Sequence, residues 1–254
     1  MRLLFLLSLA LVLIGSGCAT TREHQKETAA LHLQIATAHI KSQNYPMALK
    51  ELLQAEENDP TNPVVQANLG LVYFMRERYE LSEKHYKNAI QLQPNFTEAK
   101  NNLARSYIEL GKLNLAEPIL KDVLSDLTFV NYLSAHANYG LLEFKRQNYQ
   151  QAIFHFRKVL EKDRENCFSQ VYLGRSYLEQ KNISLAVTQL ERSIPFCSQA
   201  ESDEAHYYSA IALYRDGQKD KARYRFEELI KLFPNGANYE KAQKMLTIVK
   251  KETL

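Results

Sequence analysis

Small residues recur along this chain at Ala36, Gly70, Ala104, Gly140, Gly174 and Ala210, at separations of 34, 34, 36, 34 and 36 residues. A second small column (Ala48, Ser82, Ala116, Ala152, Ala186, Ala222) and a large apolar column (Leu52, Tyr86, Leu120, Phe156, Leu190, Phe226) step identically. Three columns in phase over six units constrain the fold more than local propensity does, because a repeating unit must bury its apolar side against its own copies. Asn58-Asp59-Pro60, Gln93-Pro94-Asn95 and Phe233-Pro234-Asn235-Gly236 are breaks between units. Inside each unit, Asn44, Asn114, Asn148 and Asn182 suit the turn before a second helix, and Pro46 and Pro118 are expected near its start, where a missing N–H is harmless. Antiparallel helices approach closely only over small side chains. Gly70 and Gly174 in first helices and Ala186 and Ala222 in second helices supply that room, and the large column fills the gaps.

This period and residue order resemble the tetratricopeptide repeat, a helix–turn–helix unit, most closely at Leu69-Gly70 with Tyr73 and at Leu173-Gly174 with Tyr177. The resemblance implies an all-α fold: a right-handed superhelix, or α-solenoid, of about six repeats over residues 29–236, closed by a capping helix over 237–254. The third and fifth units each carry two extra residues, within Ser125 to Tyr132 and around Pro195 to Asp203, both expected as loops. The closing helix has Ala242, Met245, Leu246 and Val249 on one face and lysines on the other.

The first residues read differently. Arg2 precedes an apolar run, Leu3 to Ile14, broken only by Ser8, and Gly15-Ser16-Gly17-Cys18 follows. This has the form of a secretory signal over 1–17. A Cys after small residues resembles the bacterial lipobox, with Gly15 where that pattern has Leu. The resemblance implies a lipidated (palmitate-bearing) Cys18, a tether over 18–28 and, with Ala19 next, an outer-membrane lipoprotein whose domain faces the periplasm. The 254 residues are 45% hydrophobic, enough for a core, and 32 Lys plus Arg against 29 Asp plus Glu leave a net charge of only +3, with no electrostatic case for nucleic-acid binding.

No phosphate loop, nucleophile elbow or zinc-ligand spacing occurs, the seven His are dispersed, and no enzyme activity, cofactor or metal is expected. His136 and His206 stand at equivalent packing positions. Cys167 opens the fifth unit and Cys197 closes it, so both lie at one end of an antiparallel hairpin. They are either a disulfide or two buried small apolar side chains.

Asn68, Asn102 and Asn138 stand in register on first helices and resemble the asparagine ladder of peptide-binding tetratricopeptide domains. An amide offers donor and acceptor to an extended backbone. Leu71, Phe74, Leu141, Phe144, Tyr172, Tyr207 and Ile211 flank the ladder, with Arg105 and Arg175 at equivalent places in alternate units. Together they are read as a partner-binding groove, or alternatively as inter-unit packing beside hydrated Asn side chains. The layout of lipobox, tether and repeats is similar to the type IV pilus biogenesis lipoproteins of the PilF/PilW/Tgl type, as is the stretch from Ala116-Glu117 to Tyr139-Gly140. That resemblance implies a pilotin that promotes secretin localisation and multimer assembly. The second reading is a general periplasmic scaffold for peptidoglycan hydrolases or outer-membrane protein assembly.

Overall fold

The computed structural model describes residues 2–199 and 202–252, with side chains over 22–197 and 202–252. The signal segment over 1–17 and Cys18 lie outside the residues whose side chains are described. The described residues form thirteen helices and no strand. They divide into two compact units, Met1–Lys112 and Leu113–Leu254. The first holds α1 (Arg2–Lys41), α2 (Tyr45–Asn58), α3 (Pro63–Met75), α4 (Tyr79–Leu92) and α5 (Thr97–Glu109). The second holds α6 (Leu113–Ser125), α7 (Tyr132–Lys145), α8 (Tyr149–Leu160), α9 (Cys167–Glu179), α10 (Ile183–Gln199), α11 (Glu204–Arg215), α12 (Lys219–Leu232) and α13 (Tyr239–Glu252).

Each hairpin turns on one device. Gln43, Glu77, Gln147 and Lys181 adopt positive φ between 57° and 65°, and Gly111 and Gly217 adopt 71° and 79°. These six positions share the period of the sequence columns. At each, the left-handed residue donates to the carbonyl three back and its successor to the carbonyl five back: Glu77 N to Phe74 O at 2.9 Å, Arg78 N to Tyr73 O at 2.9 Å. This pairing satisfies carbonyls that the helix end would otherwise leave open. First helices start on asparagine where the sequence allows it. Asn62 Oδ1 accepts from the Val64 and Val65 amides at 3.0 and 3.3 Å, and Asn166 Oδ1 from the Ser169 amide at 3.0 Å.

The crossings are tighter than the columns alone required. A Cβ on Gly70 would lie 2.8 Å from the Tyr86 ring, one on Gly140 2.7 Å from the Phe156 ring, and one on Gly174 2.5 Å from Leu190. In these three units the large residue of the second helix therefore seats directly on the glycine of its own first helix, and Tyr86, Phe156 and Leu190 are at most 1% exposed. In the first unit Ala36, Ala48, Leu52, Val65, Leu69 and Val72 form one buried cluster. In the second, Phe156, Val171, Leu178, Leu190 and Cys197 belong to one cluster, and Ala210, Phe226, Leu229, Ala242 and Val249 to another, which α13 helps to cover.

Two expectations are corrected. Pro118 is the sixth residue of α6, inside the helix and not at its first turn. Its missing N–H leaves the Asn114 carbonyl without an intrahelical partner. Arg146, at the C-cap of α7, fastens that turn, donating to the Leu113 carbonyl and Asn114 Oδ1 at 3.3 Å each and to Glu117 at 2.7 Å. The extra residues of the fifth unit do not begin a loop at Pro195, because α10 continues through it to Gln199. Cys197, on that added turn, is disulfide-bonded to Cys167 at the start of α9, with Cα atoms 4.9 Å apart. The insertion of the third unit is a loop over 126–131, held by Asp126 Oδ1 accepting from the Thr128 amide and hydroxyl at 3.0 and 2.6 Å.

Three histidines, His85, His155 and His206, are buried. His206 is 1% exposed, and His32 Nδ1 meets Glu51 Oε2 at 2.7 Å. His136 and His155 bring their Nδ1 atoms to 3.0 Å, and Tyr139 stacks on His155 at 4.4 Å. Burial, with the neighbouring His136, pushes His155 down to about 4. A depressed histidine favours the neutral form in the fold, so its contribution is full above the unfolded value near 6.5 and is lost as pH falls toward 4. The melting temperature should therefore drop between pH 7 and pH 4.5. His155→Phe should flatten that drop in thermal scans, and an identical slope in wild type and variant would contradict the assignment.

Candidate functional site

The first helices present two sets of side chains, one per unit. In the first unit, Phe74 of α3 packs against Tyr79 with ring centroids 5.3 Å apart, and the Arg105 guanidinium of α5 lies 5.8 Å over the Phe74 ring. Arg105 Nε also donates to Glu109 at 2.9 Å. Leu71 is half-buried beside them.

The second unit carries the denser arrangement. Arg175 of α9 lies 4.9 Å from the centroid of Phe144 on α7, 4.4 Å from Tyr172 on α9 and 4.1 Å from Tyr208 on α11. Phe144 meets Tyr172 edge-on at 5.2 Å. Three rings from three successive first helices thus surround one guanidinium, whose charge the ring faces stabilise. Glu204 Oε1 is 3.5 Å from Arg175 Nη1. The group borders a cleft of about 630 Å³ whose walls include Asp203, Glu204, Asn238 and Lys241. Asp203, 5% exposed, shapes that wall by accepting from the Asn238 backbone amide at 2.7 Å and its side-chain amide at 2.8 Å.

The structure treats the expected ladder differently. Asn68 turns its amide back, donating to the Val64 carbonyl at 2.9 Å. The Asn102 amide hydrogen-bonds the hydroxyl of buried Tyr86, whose acidity burial suppresses. Asn138 is 6% exposed. The equivalent spacing is real, but Asn68 and Asn102 are half-buried with a partner each within the protein, and Asn138 is buried. Leu141 is fully buried, which removes it from any groove surface. Tyr207 and Ile211 pack on the α11–α12 cluster, Tyr207 facing Phe226 at 6.1 Å. Phe144, Tyr172 and Arg175 do come together. Tyr208, which is not among the expected groove residues, joins them, and its place in the sequence carries a signal. The column Asn68, Asn102, Asn138 continues with the same steps to Tyr172 and Tyr208.

Three stretches match models of the tetratricopeptide repeat: residues 63–96, 97–126 and 204–236. These three stretches are thus tetratricopeptide repeats, a scaffold that generally mediates protein–protein interaction and is generally non-enzymatic. Among curated proteins it is 30% identical over 118 residues to Hsp70-Hsp90 organizing protein 3 of Arabidopsis thaliana, covering 46% of this chain and 21% of that protein. It spans about a fifth or less of the first such relatives. Among solved structures it is similar to PilW, described as a widely conserved type IV pilus biogenesis factor, with a TM-score of 0.73 at 16% identity, covering 85% of this chain and 98% of that one. It is also similar to Pseudomonas aeruginosa PilF, with a TM-score of 0.66 at 17% identity, covering 87% and 99%. At these identities the likeness concerns the fold.

Proposed function

We propose that this protein is a lipid-anchored adaptor of the outer membrane that holds a segment of another envelope protein, and that its partner is the secretin subunit of a type IV pilus system. The observation that carries the reading is the Arg175 site. A fixed cation among Phe144, Tyr172 and Tyr208, beside a cleft with acid and amide walls, offers a peptide both apolar contact and directed polar groups. Near-complete coverage of the PilW and PilF chains supports the pilus assignment at the level of architecture. Acyl chains on Cys18 would keep the repeats at the membrane surface, where the unassembled partner is concentrated.

Deleting the gene should leave secretin as monomers and abolish pili, and normal multimers would defeat the assignment. A photoreactive residue at Tyr208 should crosslink to the secretin. Arg175→Ala, with unchanged circular dichroism, should weaken that interaction roughly tenfold. Crosslinks only to peptidoglycan hydrolases or outer-membrane assembly factors would favour the general scaffold. Cys18→Ala should move the protein from the membrane fraction to the soluble one.

A further inference from the structure

A second cleft of about 510 Å³ lies where α8, α9 and α10 meet, and it shares no residue with the Arg175 site. Arg157 from α8, Arg164 from the loop before α9 and Arg192 from α10 all line it. None of the three forms an ion pair among the described residues. One carboxylate, Glu161, shares the cleft, and it is engaged by Lys158 at 3.2 Å.

The three arginines are exposed, but bonded and buried groups beneath them fix the frame of the cleft. Arg157 Nη2 donates to the Tyr177 hydroxyl at 2.6 Å, which fixes that guanidinium. Gln170, 2% exposed, donates to the Arg164 carbonyl at 2.6 Å and accepts from Gln189 of α10, tying the Arg164 loop to both helices. Leu160 and Leu173 give the cleft an apolar floor. It is prolonged by a cavity of about 260 Å³ that shares Arg157 and Glu161 and adds Lys158 and Phe154, the latter 51% exposed.

We infer that this cleft binds an acidic segment of polypeptide in which Asp or Glu alternates with apolar residues. Guanidinium forks recognise carboxylates in pairs, and unpaired ones at a partly apolar surface gain most from doing so. The cations arise from three separate elements around a partly apolar floor, and a neighbouring cavity that shares Arg157 and Glu161 extends the space, an arrangement that suits a run of residues with both acidic and apolar side chains. The volume is that of a site for several residues of chain. The amides of Gln170 and Gln189 already bond each other, so specificity rests on the charges and the floor.

The test is fluorescence anisotropy of the full protein with a labelled, short alternating Glu-Leu peptide and its Gln-Leu counterpart. The Glu-Leu peptide should bind, weaken as salt rises, and lose at least about tenfold in affinity in the triple variant Arg157→Gln, Arg164→Gln, Arg192→Gln. A charge-matched control, Lys41→Gln, Arg76→Gln, Lys244→Gln, should keep wild-type affinity, and circular dichroism should show all three proteins folded. Equal binding of the Gln-Leu peptide would overturn the inference, as would an equal loss in the control. So would flotation with phosphatidylglycerol vesicles that depends on the three arginines while the peptide does not bind.

Discussion

Replacing both Cys167 and Cys197 with Ala should lower stability by about 3.5 kcal/mol, the loop-entropy value for a bridge closing a separation of 30 residues. For a chain of this size that corresponds to a fall of roughly 10 °C in melting temperature. The bridge joins the first residue of α9 to the added turn of α10. It thus holds the open end of a hairpin whose other end is already closed by the Lys181 turn. Cys197 is fully buried, so Ala costs little in packing beyond the lost sulfur. Thermal scans with and without dithiothreitol decide the matter. Reductant should bring wild type down to the variant and leave the variant unmoved. Coincident melting of oxidised wild type and variant would show that the bridge contributes nothing.

The second large effect is expected at Gly140. Its absent Cβ leaves the place occupied by Phe156, with Cε1 2.7 Å and Cδ1 2.9 Å from where the methyl would stand. Phe156 is fully buried and cannot swing out without opening the cluster around it. Overpacking costs about 1–3 kcal/mol, against which Ala recovers about 1 kcal/mol of helix propensity. Gly140→Ala should therefore be mildly destabilising, and Gly140→Val should lose about 3 kcal/mol, because a branched side chain adds volume and forfeits propensity. Combining Gly140→Ala with Phe156→Leu should recover part of the loss, a coupling that chemical denaturation of all four proteins of the cycle measures. Additive losses would mean that the two residues do not compete for the same space.

The hairpins were legible because close packing leaves a periodic trace. Gly70, Gly140 and Gly174 leave no free room for a Cβ beside Tyr86, Phe156 and Leu190, so a small column and a large column surfaced together in the sequence. The turns left a weaker trace. Gln43, Glu77, Gln147 and Lys181 hold the left-handed conformation without being glycine, so residue type alone did not mark them. Pro195 read as a break, yet helix α10 passes through it, with the disulfide holding the turn beyond. The site was half legible for a related reason. Spacing assigns a residue to a helix face but not a partner to its side chain. Asn68, Asn102 and Asn138 share a face in sequence, and three different local environments absorb them. Phe144, Tyr172 and Arg175 stayed together because rings and a guanidinium are large enough to reach one another from neighbouring helices.

Repeat arrays flex by small rotations between successive hairpins, and most of that compliance resides in contacts that slide. A guanidinium clasped by rings from α7, α9 and α11 acts as a rivet through three consecutive layers. Bending is discouraged at that rivet, so a segment of the kind proposed would meet a stiff template around Arg175, and the entropy of shaping the complex would fall on that segment.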